Sequence, residues 1–342
     1  MVKCNALLFK NKRILITGGT GSLGQSLTKK LLELDVDTIR ILSRNESKQV
    51  DMDEEFNDKR LRFLIGDIRD KERLIKSFEG IDIVFHAAAL KHVPVIEYNP
   101  FEAIKTNVIG SQTIIDAAVA QDVKKVICIG TDKSVSPLNT YGATKLLMEK
   151  LFVSSNFYLN KKKHKTKFIA LRYGNVLGSS GSVVPKFIQQ IRSKQKITIT
   201  DPNMTRFSLT MKEALDFILE SAYLGNGSEV FVPKIKSYSL TDLKETIKEL
   251  LGNVGDKNIS LRPGEKLHEV LINGDEIRQT WEYNDMYLVS NPLYATFHGK
   301  EISDNYENIT ELTNLENYSS AFSEKISKNE LEIMIKNSGL VD

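Results

Sequence analysis

The chain has little cysteine and little excess charge. Its 342 residues include two cysteines, Cys4 and Cys128, and Cys128 lies inside an apolar run, so the sequence supports neither a disulfide framework nor a Cys/His metal site. The 47 Lys plus Arg against 44 Asp plus Glu give a net charge of +3, too mild to favour nucleic acid as the main partner. We therefore expect a protein of a reducing compartment, the cytoplasm.

Long apolar runs, internal repeats and low-complexity linkers are also missing. No stretch approaches the ~18 apolar residues of a membrane-spanning helix, and residues 1–11 lack the apolar segment of a signal peptide. Hydrophobic residues make up 41% of the chain and charged residues 27%, which suffices to bury a full core. The sequence therefore predicts a soluble protein with no membrane partner, built from one large domain and a smaller one.

A glycine-rich loop follows the first predicted strand. Residues 13–17 (RILIT) form an apolar run, and GGTGSLG at 18–24 opens a helix with leucines along one stripe. Gly18 allows the tight turn, Gly21 lets the backbone approach a pyrophosphate, and Gly24 permits close packing of helix and strand. This order of strand, glycines and amphipathic helix predicts a dinucleotide-binding site at the helix N-terminus.

The next three predicted strands, at 38–42, 61–65 and 81–85, end in residues suited to the same ligand. The first is followed by Ser43 and Arg44 rather than by an acid, so a 2′-phosphate is favoured and NADP is predicted over NAD. Asp67 follows the second, where it could contact an adenine edge or cap a helix. Small residues at 87–89 leave room for the cofactor against the backbone.

The segment 126–145 carries the predicted chemistry. Residues 126–129 form a buried parallel strand, and Asp132 and Lys133 follow at its carboxyl end, where open α/β sheets bind ligands. Tyr141 and Lys145 lie four apart on one face of a helix. A phenol beside an ammonium ionises more easily, and the phenolate could remove a proton from a sugar hydroxyl while hydride leaves the same carbon.

The predicted cofactor-binding residues are Gly18, Thr20, Gly21, Ser22, Leu23, Gly24, Ser43, Arg44, Asp67, Ile68, Ala87, Ala88, Ala89, Tyr141 and Lys145. A second Tyr-x-x-x-Lys spacing, at Tyr158 and Lys162, runs into a charged cluster and is interpreted as surface.

Later in the chain, Asn175 follows a predicted strand, and the glycine-containing loop at 178–182 precedes an apolar helix at 183–191. We interpret this loop as facing the substrate. Arg206 and the RPGEK motif at 262–266 could hold a substrate diphosphate, or the motif could be a surface loop with a Pro-Gly turn.

Together these motifs resemble one family, the extended short-chain dehydrogenase/reductases, and within it the UDP-N-acetylglucosamine 4,6-dehydratases of the 5-inverting type that begin pseudaminic acid biosynthesis. The resemblance extends from about Asn11 to about Asn291. It rests on GGTGSLG at 18–24, SRNESKQ at 43–49, HAAALKHVPVIEYNP at 86–100, TDK at 131–133, YGATK at 141–145, RYGNV at 172–176, GSV at 181–183, MTRF at 204–207 and RPGEKLHEVLI at 262–272.

The resemblance implies NADP as cofactor, UDP-N-acetylglucosamine as substrate, and Asp132, Lys133, Tyr141 and Lys145 as catalytic residues. The residues that it implies for substrate binding are Lys91, Thr131, Asn175, Val183, Arg206, Arg262 and Glu265. Two positions depart from the family pattern: Ser134 stands where Ala is usual, and Ser180 stands where Arg is common. The second change could loosen a phosphate or sugar contact.

The implied reaction oxidises carbon 4, eliminates water across carbons 5 and 6, and returns hydride to carbon 6 with inversion at carbon 5. Lys133 would act as the base and Asp132 as the acid, with exchange of the two roles left open. Lysine must lose a proton for this, and Lys145 and an oxidised nicotinamide would lower the pKa of Lys133 whereas ionised Asp132 would raise it. A 5-retaining dehydratase, a nucleotide-sugar 4-epimerase and a non-catalytic NADP-binding protein are the alternatives.

The expected fold is α/β, a Rossmann-type doubly wound parallel sheet with a smaller C-terminal α/β substrate domain. Residues 1–176 are predicted to form the NADP-binding domain, with 207–232 returning to it, and 177–206 and 233–342 the substrate-binding domain and tail. The resemblance implies a homo-oligomer, a dimer or hexamer. Apolar positions expected to be exposed on the helix after Tyr141, namely Leu146, Leu147, Leu151 and Phe152, could pair between subunits.

Overall fold

The structure is a computed structural model that describes residues 6–160, 162–179, 181–262 and 264–341. Strands and helices alternate along most of this part of the chain. In chain order the strands are β1 (Arg13–Thr17), β2 (Thr38–Ser43), β3 (Leu61–Ile65), β4 (Ile83–His86), β5 (Lys125–Ile129), β6 (Lys167–Leu171), β7 (Asn175–Val176), β8 (Ile197–Ile199), β9 (Thr205–Leu209), β10 (Glu229–Pro233), β11 (Ser237–Ser239), β12 (Asp256–Asn258), β13 (Val270–Ile272), β14 (Thr280–Tyr283), β15 (Met286–Ser290), β16 (Thr310–Glu311) and β17 (Tyr318–Ser319).

The helices, again in chain order, are α1 (Ser22–Leu32), α2 (Glu46–Phe56), α3 (Lys71–Phe78), α4 (Val93–Tyr98), α5 (Pro100–Ala103), α6 (Gly110–Ala120), α7 (Thr140–Tyr158), α8 (Val183–Arg192), α9 (Met211–Leu224), α10 (Leu240–Leu251), α11 (Gly274–Ile277), α12 (Tyr294–His298) and α13 (Lys328–Lys336). A π-helical turn (Ile104–Ile109) joins α5 to α6, and a 3-10 turn (Asp132–Ser134) follows β5. None of the described helices combines the length and the apolar character needed to cross a bilayer.

Ten strands form one large sheet, in the order β16-β14-β15-β10-β6-β5-β4-β1-β2-β3. The strands from β3 to β10 run parallel, and β15, β14 and β16 run antiparallel at the other edge. The chain order reverses between β1 and β4, which is the topological switch point where such sheets bind ligands. The expected doubly wound parallel sheet is therefore confirmed.

Both faces of the large sheet are covered, which explains why its strands are continuous apolar runs. On β1, Leu15 packs into the core on one face, while Ile14 and Ile16 pack into the core on the other. Helices α3, α6 and α7 cover the first face, contributing Phe78, Ile114 and Phe152. Helices α1 and α9 cover the second face.

The segment 280–311 departs from the predicted domain boundary. It lies in the part expected to bind substrate, but β14, β15 and β16 extend the large sheet. The physical reason is that β15 pairs antiparallel with all five residues of β10, from Glu229 to Pro233. This pairing satisfies an edge that would otherwise expose free backbone groups.

A smaller layer lies beyond the carboxyl ends of the parallel strands. It contains the sheets β11-β9-β7, β12-β8 and β13-β17. Phe187 of α8, Leu243 of α10 and Leu331 of α13 share a separate hydrophobic core there. This layer carries Arg206 on β9 and the segment 262–272, so it faces the ligand edge of the large sheet.

Helix α7 begins at Thr140, directly after the capping residue Asn139. The Asn139 side chain caps it by accepting a hydrogen bond from the Gly142 amide at 2.7 Å. A Cβ on Gly142 would collide with the Lys133 carbonyl oxygen, so glycine is needed for α7 to sit against the 3-10 turn. One expectation for α7 is wrong: Phe152 is fully buried against Phe168, whereas Leu147 is half exposed.

Candidate active site

A cavity of about 740 Å³ opens at the carboxyl ends of the parallel strands, at the switch point between β1 and β4. The glycine loop after β1, the loop at 87–93 after β4 and the turn at 129–133 after β5 line it. All the predicted cofactor-binding residues lie in its wall, as do Lys91, Thr131 and Asn175 from the predicted substrate set. The cavity is thus large enough and correctly placed for a dinucleotide with a sugar beside it.

The glycine loop and the loop after β4 form a narrow cradle. Gly18 has a φ of +69°, and a Cβ there would lie 2.8 Å from the Ala88 Cα. The Ala88 amide donates to the Thr17 hydroxyl at 3.3 Å, which ties the two loops together. Helix α1 starts at Ser22 after Gly21, whose lack of a side chain leaves the first amides uncapped. These uncapped amides suit an anion such as a pyrophosphate.

Cationic side chains lie at the far end of this cradle. Arg44 is 60% exposed and its Nη1 lies 3.8 Å from the Asp67 carboxylate. Burial disfavours the charge on Asp67, but hydrogen bonds from Arg69 and the charge of Arg44 keep the pKa of Asp67 below its usual value. Lys48, one turn into α2, also lines the cavity. Arg44 and Lys48 can therefore both face an anionic group next to Ser43.

The alternative interpretation of Asp67 as a helix cap is wrong. Helix α3 is capped by Asp70, whose carboxylate accepts the Arg73 amide at 3.0 Å. Asp67 lines the cavity and pairs with Arg69 at 2.7 Å. The adenine-side contact is the expectation for Asp67 that stays open.

Tyr141 and Lys145 both lie in the cavity wall on one face of α7. The Lys145 ammonium donates to the Ile129 carbonyl at 2.7 Å, and burial lowers the pKa of Lys145 to about 8. Burial also raises the pKa of Tyr141, opposed first by the charge of Lys133 and next by a hydrogen bond with Thr131. Lys133, rather than Lys145, is thus the cation that favours the Tyr141 phenolate.

Asp132 and Lys133 form an ion pair beside Tyr141. The Lys133 ammonium lies 2.9 Å from the Asp132 Oδ1 and donates to the Asn175 Oδ1 at 3.2 Å. The Asp132 side chain is fully buried, and its Oδ2 has no hydrogen-bond partner. An orphaned buried carboxylate oxygen requires explanation, and a substrate hydroxyl is the simplest partner for it.

Two opposing effects set the pKa of Lys133: burial lowers it and neighbouring carboxylates raise it. Burial opposes its positive charge, yet its pKa is raised above the ordinary lysine value, because the carboxylates of Asp132 and Glu269 lie 2.9 Å and 3.7 Å from its ammonium. Lys145 does not act on it strongly enough to reverse this effect. The two carboxylates therefore outweigh the effect of burial, and Lys133 is an ammonium.

Arg206, Arg262, Glu265 and Val183 do not line the cavity itself. Arg206 lies 3.9 Å from the Glu265 carboxylate, and the Arg262 amide faces the same carboxylate at 3.4 Å. Val183 opens α8, next to the glycine-containing loop. The structure thus brings Arg206, Arg262 and Glu265 together in the smaller layer, separate from the glycine cradle. Ser180 and Pro263 of these loops, like Cys4, lie outside the described residues.

Two residues that sequence reasoning missed hold the loops of the cavity. Asn107, fully buried in the π-helical turn, accepts the Leu90 amide at 2.8 Å and donates to the Leu90 carbonyl and to the Thr144 hydroxyl, both at 3.0 Å. It joins the loop after β4 to helix α7. Its position in a π-helical turn gives no periodic signal in the sequence.

Glu269 is the other missed residue. Its Oε1 lies 3.7 Å from the Lys133 ammonium and 3.8 Å from the Arg206 guanidinium. It belongs to the RPGEKLHEVLI motif, which could have drawn attention to it, but its distance along the chain from Lys133 hid the contact. By contrast, the interpretation of Tyr158 as a surface residue is confirmed, since its side chain is exposed.

Residues 14–291 match the family described as "Polysaccharide biosynthesis protein". The chain belongs to this family. It is 47% identical over 285 residues to the UDP-N-acetylglucosamine 4,6-dehydratase (inverting) of Campylobacter jejuni (strain 81-176), a match that covers 83% of this chain and 84% of that protein. The resemblance inferred from the motifs is thereby confirmed.

Two further relatives extend the comparison. The chain is 39% identical over 287 residues to the UDP-glucose 4-epimerase of Rickettsia felis, covering 82% of this chain and 84% of that protein. The solved structure of Pen from Bacillus thuringiensis superposes with a TM-score of 0.89 at 42% identity, covering 97% of this chain and 99% of the other. The fold therefore extends beyond the family match into the C-terminal segment.

Proposed function

We propose that the protein is a UDP-N-acetylglucosamine 4,6-dehydratase that inverts carbon 5 and forms UDP-2-acetamido-2,6-dideoxy-β-L-arabino-hex-4-ulose. The observation that carries the proposal is that Lys133 lines the cavity beside Tyr141 and forms an ion pair with the buried Asp132, while the other end of the cavity fits a dinucleotide. Simple alcohol oxidation needs Tyr141 and Lys145 alone, whereas removal of water across two carbons needs a further acid and base. The 47% identity to a dehydratase of this name supports the assignment.

The cofactor that we propose is NADP. The close approach of Gly18 to Ala88 and the uncapped start of α1 fit its pyrophosphate, and Arg44, Lys48 and Ser43 fit its 2′-phosphate. When bound, NADP supplies the hydride chemistry, taking hydride from carbon 4 and returning it to carbon 6. Because the cofactor is regenerated in each turnover, we expect it to stay bound.

Tyr141 is the proposed base for the first step. As phenolate, it accepts the proton of the 4-hydroxyl. Lys133 is the main cation that offsets the effect of burial on Tyr141, and Thr131 adds a hydrogen bond. Lys145, anchored to the Ile129 carbonyl, keeps its ammonium in the cavity wall where nicotinamide and ribose would lie.

Asp132 and Lys133 then remove water. A ketone at carbon 4 makes the proton on carbon 5 acidic. A single proton transfer along the 2.9 Å hydrogen bond from Lys133 to Asp132 converts the ion pair into an amine and a carboxylic acid. The amine takes the carbon 5 proton, and the acid protonates the departing 6-hydroxyl from Oδ1, the oxygen that received the proton, while the free Oδ2 accepts a hydrogen bond from a substrate hydroxyl. The pair therefore needs no outside proton to reach its active form, although the reverse assignment of roles uses the same contacts.

The nucleotide part of the substrate is proposed to bind between the cavity and the smaller layer. Arg206 and Arg262 suit the diphosphate, since a guanidinium pairs with phosphate oxygens through two parallel hydrogen bonds. Glu265 lies within reach of both and suits a hydroxyl or ring N–H. Lys91, Thr131, Asn175 and Val183 complete the proposed substrate set.

A 4-epimerase is the second candidate, favoured by the 39% identity to a UDP-glucose 4-epimerase. Epimerisation needs no acid and base between carbons 5 and 6, so it leaves Asp132 and Lys133 unexplained. A 5-retaining dehydratase would use the same groups and differs only in the face that receives the final proton. A non-catalytic NADP-binding protein would have no need of the four proposed catalytic residues, Asp132, Lys133, Tyr141 and Lys145.

We further propose a homo-oligomer in the cytoplasm that supplies a pseudaminic acid pathway. Large apolar side chains lie exposed on the adjoining segments α4, α5, the π-helical turn and α7, where Val95, Tyr98, Phe101, Ile109 and Leu147 are each half or more exposed. An apolar surface of this kind marks a protein contact, and we assign it to a second copy of the chain. Cys128, a free and buried thiol, suits a reducing compartment. The division into an NADP-binding and a substrate-binding domain stays a proposal.

The test is to mix the purified protein with UDP-N-acetylglucosamine in deuterated water, adding no cofactor, and to follow the product by mass and NMR. We expect loss of one water, a 4-ketone, deuterium at carbon 5, and a proton coupling pattern of the inverted configuration. Lys133→Ala should abolish deuterium incorporation at carbon 5, whereas Asp132→Asn should slow loss of the 6-hydroxyl. A product that retains the 6-hydroxyl would replace this proposal by the epimerase.

A further inference from the structure

We propose that Glu269 is a positioning residue that holds the Lys133 ammonium in place and links it to Arg206. The inference rests on the proposed function, since it assigns Lys133 to the carbon 5 proton and Arg206 to the substrate diphosphate. Glu269 itself has no part in the steps described above. Its role is to fix where Lys133 points and how readily it gives up its proton.

The geometry of the carboxylate supports this role. The Glu269 side chain is 4% exposed, with Oε1 3.7 Å from Lys133 and 3.8 Å from Arg206. Its Oε2 is buried without a hydrogen-bond partner. A carboxylate buried solely for stability would be expected to satisfy both oxygens. In Glu269, by contrast, Oε1 faces both Lys133 and Arg206, while Oε2 has no hydrogen-bond partner.

The backbone of Glu269 is firmly held from the C-terminal segment. Ser320, fully buried after β17, accepts the Glu269 amide at 2.9 Å and donates its own amide to the Glu269 carbonyl at 2.8 Å. The Ser320 hydroxyl also lies 2.8 Å from the hydroxyl of Thr205, the neighbour of Arg206. One serine therefore holds the backbone of Glu269 and the neighbour of Arg206, which keeps the Glu269 carboxylate within reach of Lys133.

Several other charged and titratable groups face Lys133 and Glu269. Asp132 approaches from the 3-10 turn, Tyr141 from α7, Arg206 from β9 and Tyr238 from β11. Lys266, whose ammonium donates to the Val135 carbonyl at 2.6 Å, also lies close enough to interact with these charges. Burial lowers the pKa of Lys266, while Glu269 and Asp132 act against that effect. Among the described groups, Asp132 and Glu269 are the carboxylates on which the Lys133 charge depends most.

Removing the Glu269 charge should therefore make Lys133 easier to deprotonate and less firmly held. In Glu269→Gln, the falling limb of kcat/KM with pH, which reports loss of the proton that Lys133 shares with Asp132, should move to lower pH by about one unit or more, as expected for loss of a charge at this distance. The Lys133 pKa, followed by carbon NMR of lysine-labelled protein and assigned with Lys133→Met, should fall in the same direction. This second readout needs no turnover, so it tests the inference even if the proposed reaction is wrong.

Glu265→Gln is the matched comparison, because Glu265 contacts Arg206 but not Lys133. It should raise KM while leaving the pH limb and the Lys133 titration where they are. Glu269→Asp, which withdraws the carboxylate by one methylene, should shift both readouts in the same direction by less, and it carries the test if the Gln variant does not fold. An unchanged Lys133 titration in the folded Glu269 variants, with only a lower melting temperature, would overturn the proposal and leave Glu269 a structural acid.

Discussion

Asn139 joins helix α7 to the loop at 262–265 through a hydrogen bond to Gly264. Its side-chain oxygen caps α7, the helix of Tyr141 and Lys145, while its side-chain nitrogen donates to the Gly264 carbonyl at 2.9 Å. Gly264 has a φ of +73°, and a Cβ there would lie 2.6 Å from the Asn139 Cβ. The catalytic helix and the loop of Arg262 and Glu265 thus depend on the same side chain.

Asn139→Ala should therefore affect both stability and substrate binding. Loss of the cap should cost about 1 kcal/mol of unfolding free energy. Release of the 262–265 loop should raise KM severalfold, because the proposed nucleotide contacts are no longer held. Ser327→Ala removes the cap of α13 and is the control, with a similar loss of stability at unchanged KM. Equal KM values for both variants would show that the Asn139–Gly264 contact does not position the loop.

Lys145 should make stability depend on pH. Its pKa falls from 10.5 to about 8 on folding, so between these values the unfolded chain binds more protons and the stability rises with pH. The shift corresponds to about 3 kcal/mol of unfolding free energy. The buried ammonium destabilises the folded protein by this amount at neutral pH, and the loss disappears above the pKa of lysine in the unfolded chain. Lys145→Met should thus be more stable than the natural protein at pH 7 while losing activity.

The measurement is urea unfolding of both proteins at pH 7 and at pH 10. The stability advantage of Lys145→Met should shrink by most of that cost at the higher pH. Lys150→Met, on the exposed face of the same helix, should show no such change. A constant advantage at both pH values would mean that burial does not perturb Lys145 in this way.

Arg44 should discriminate NADP from NAD. Arg44→Ala removes a guanidinium from the proposed 2′-phosphate site, and charged hydrogen bonds of this type are worth about 1.5–3 kcal/mol. NADP affinity should fall roughly ten- to a hundredfold, whereas NAD affinity should change little. Isothermal titration of protein stripped of its cofactor with NADP and with NAD measures this, and Arg62→Ala, an exposed arginine on β3, is the control. The same loss for both cofactors would place the phosphate elsewhere.

The apolar face around α4 and α7 should control assembly. Tyr98→Asp combined with Leu147→Asp places charges in a contact that we assign to a second copy, and burying unpaired charges is costly. Analytical ultracentrifugation should show dissociation to a smaller species with an unchanged circular dichroism spectrum. Phe322→Asp, at an equally exposed aromatic elsewhere, should leave the assembly intact. If the double variant sediments like the natural protein, subunits meet through another surface.

Much of the fold follows from short stretches of sequence. β1 and β3 have the predicted bounds, because short apolar runs that end in glycine or polar residues are recognisable locally. The glycines at 18–24 and the spacing of Tyr141 and Lys145 likewise need only local geometry. These features identified the cofactor cradle and one face of the catalytic helix.

Burial and long-range pairing could not be predicted in the same way. Phe152 and Leu147 both follow Tyr141 on α7, yet Phe152 is buried and Leu147 exposed, because the packing of β6 against the helix selects the face. Asp70 rather than Asp67 caps α3, since the chain needs three more residues to reach the helix. The segment 280–311 joins the large sheet because the edge of β10 is available to it.

The sequence by itself determined the kind of chemistry, since the motif residues and their spacing already contained the cofactor loop, the acid, the lysine and the tyrosine. Only the tertiary structure decided how those groups behave. Glu269 meets Lys133 and Arg206 from a distant segment of the chain, and the pKa of Lys133 is set by burial and by the charges of Asp132 and Glu269 together. Charge interactions depend on distance and on the exclusion of water, and neither exists until the chain has folded.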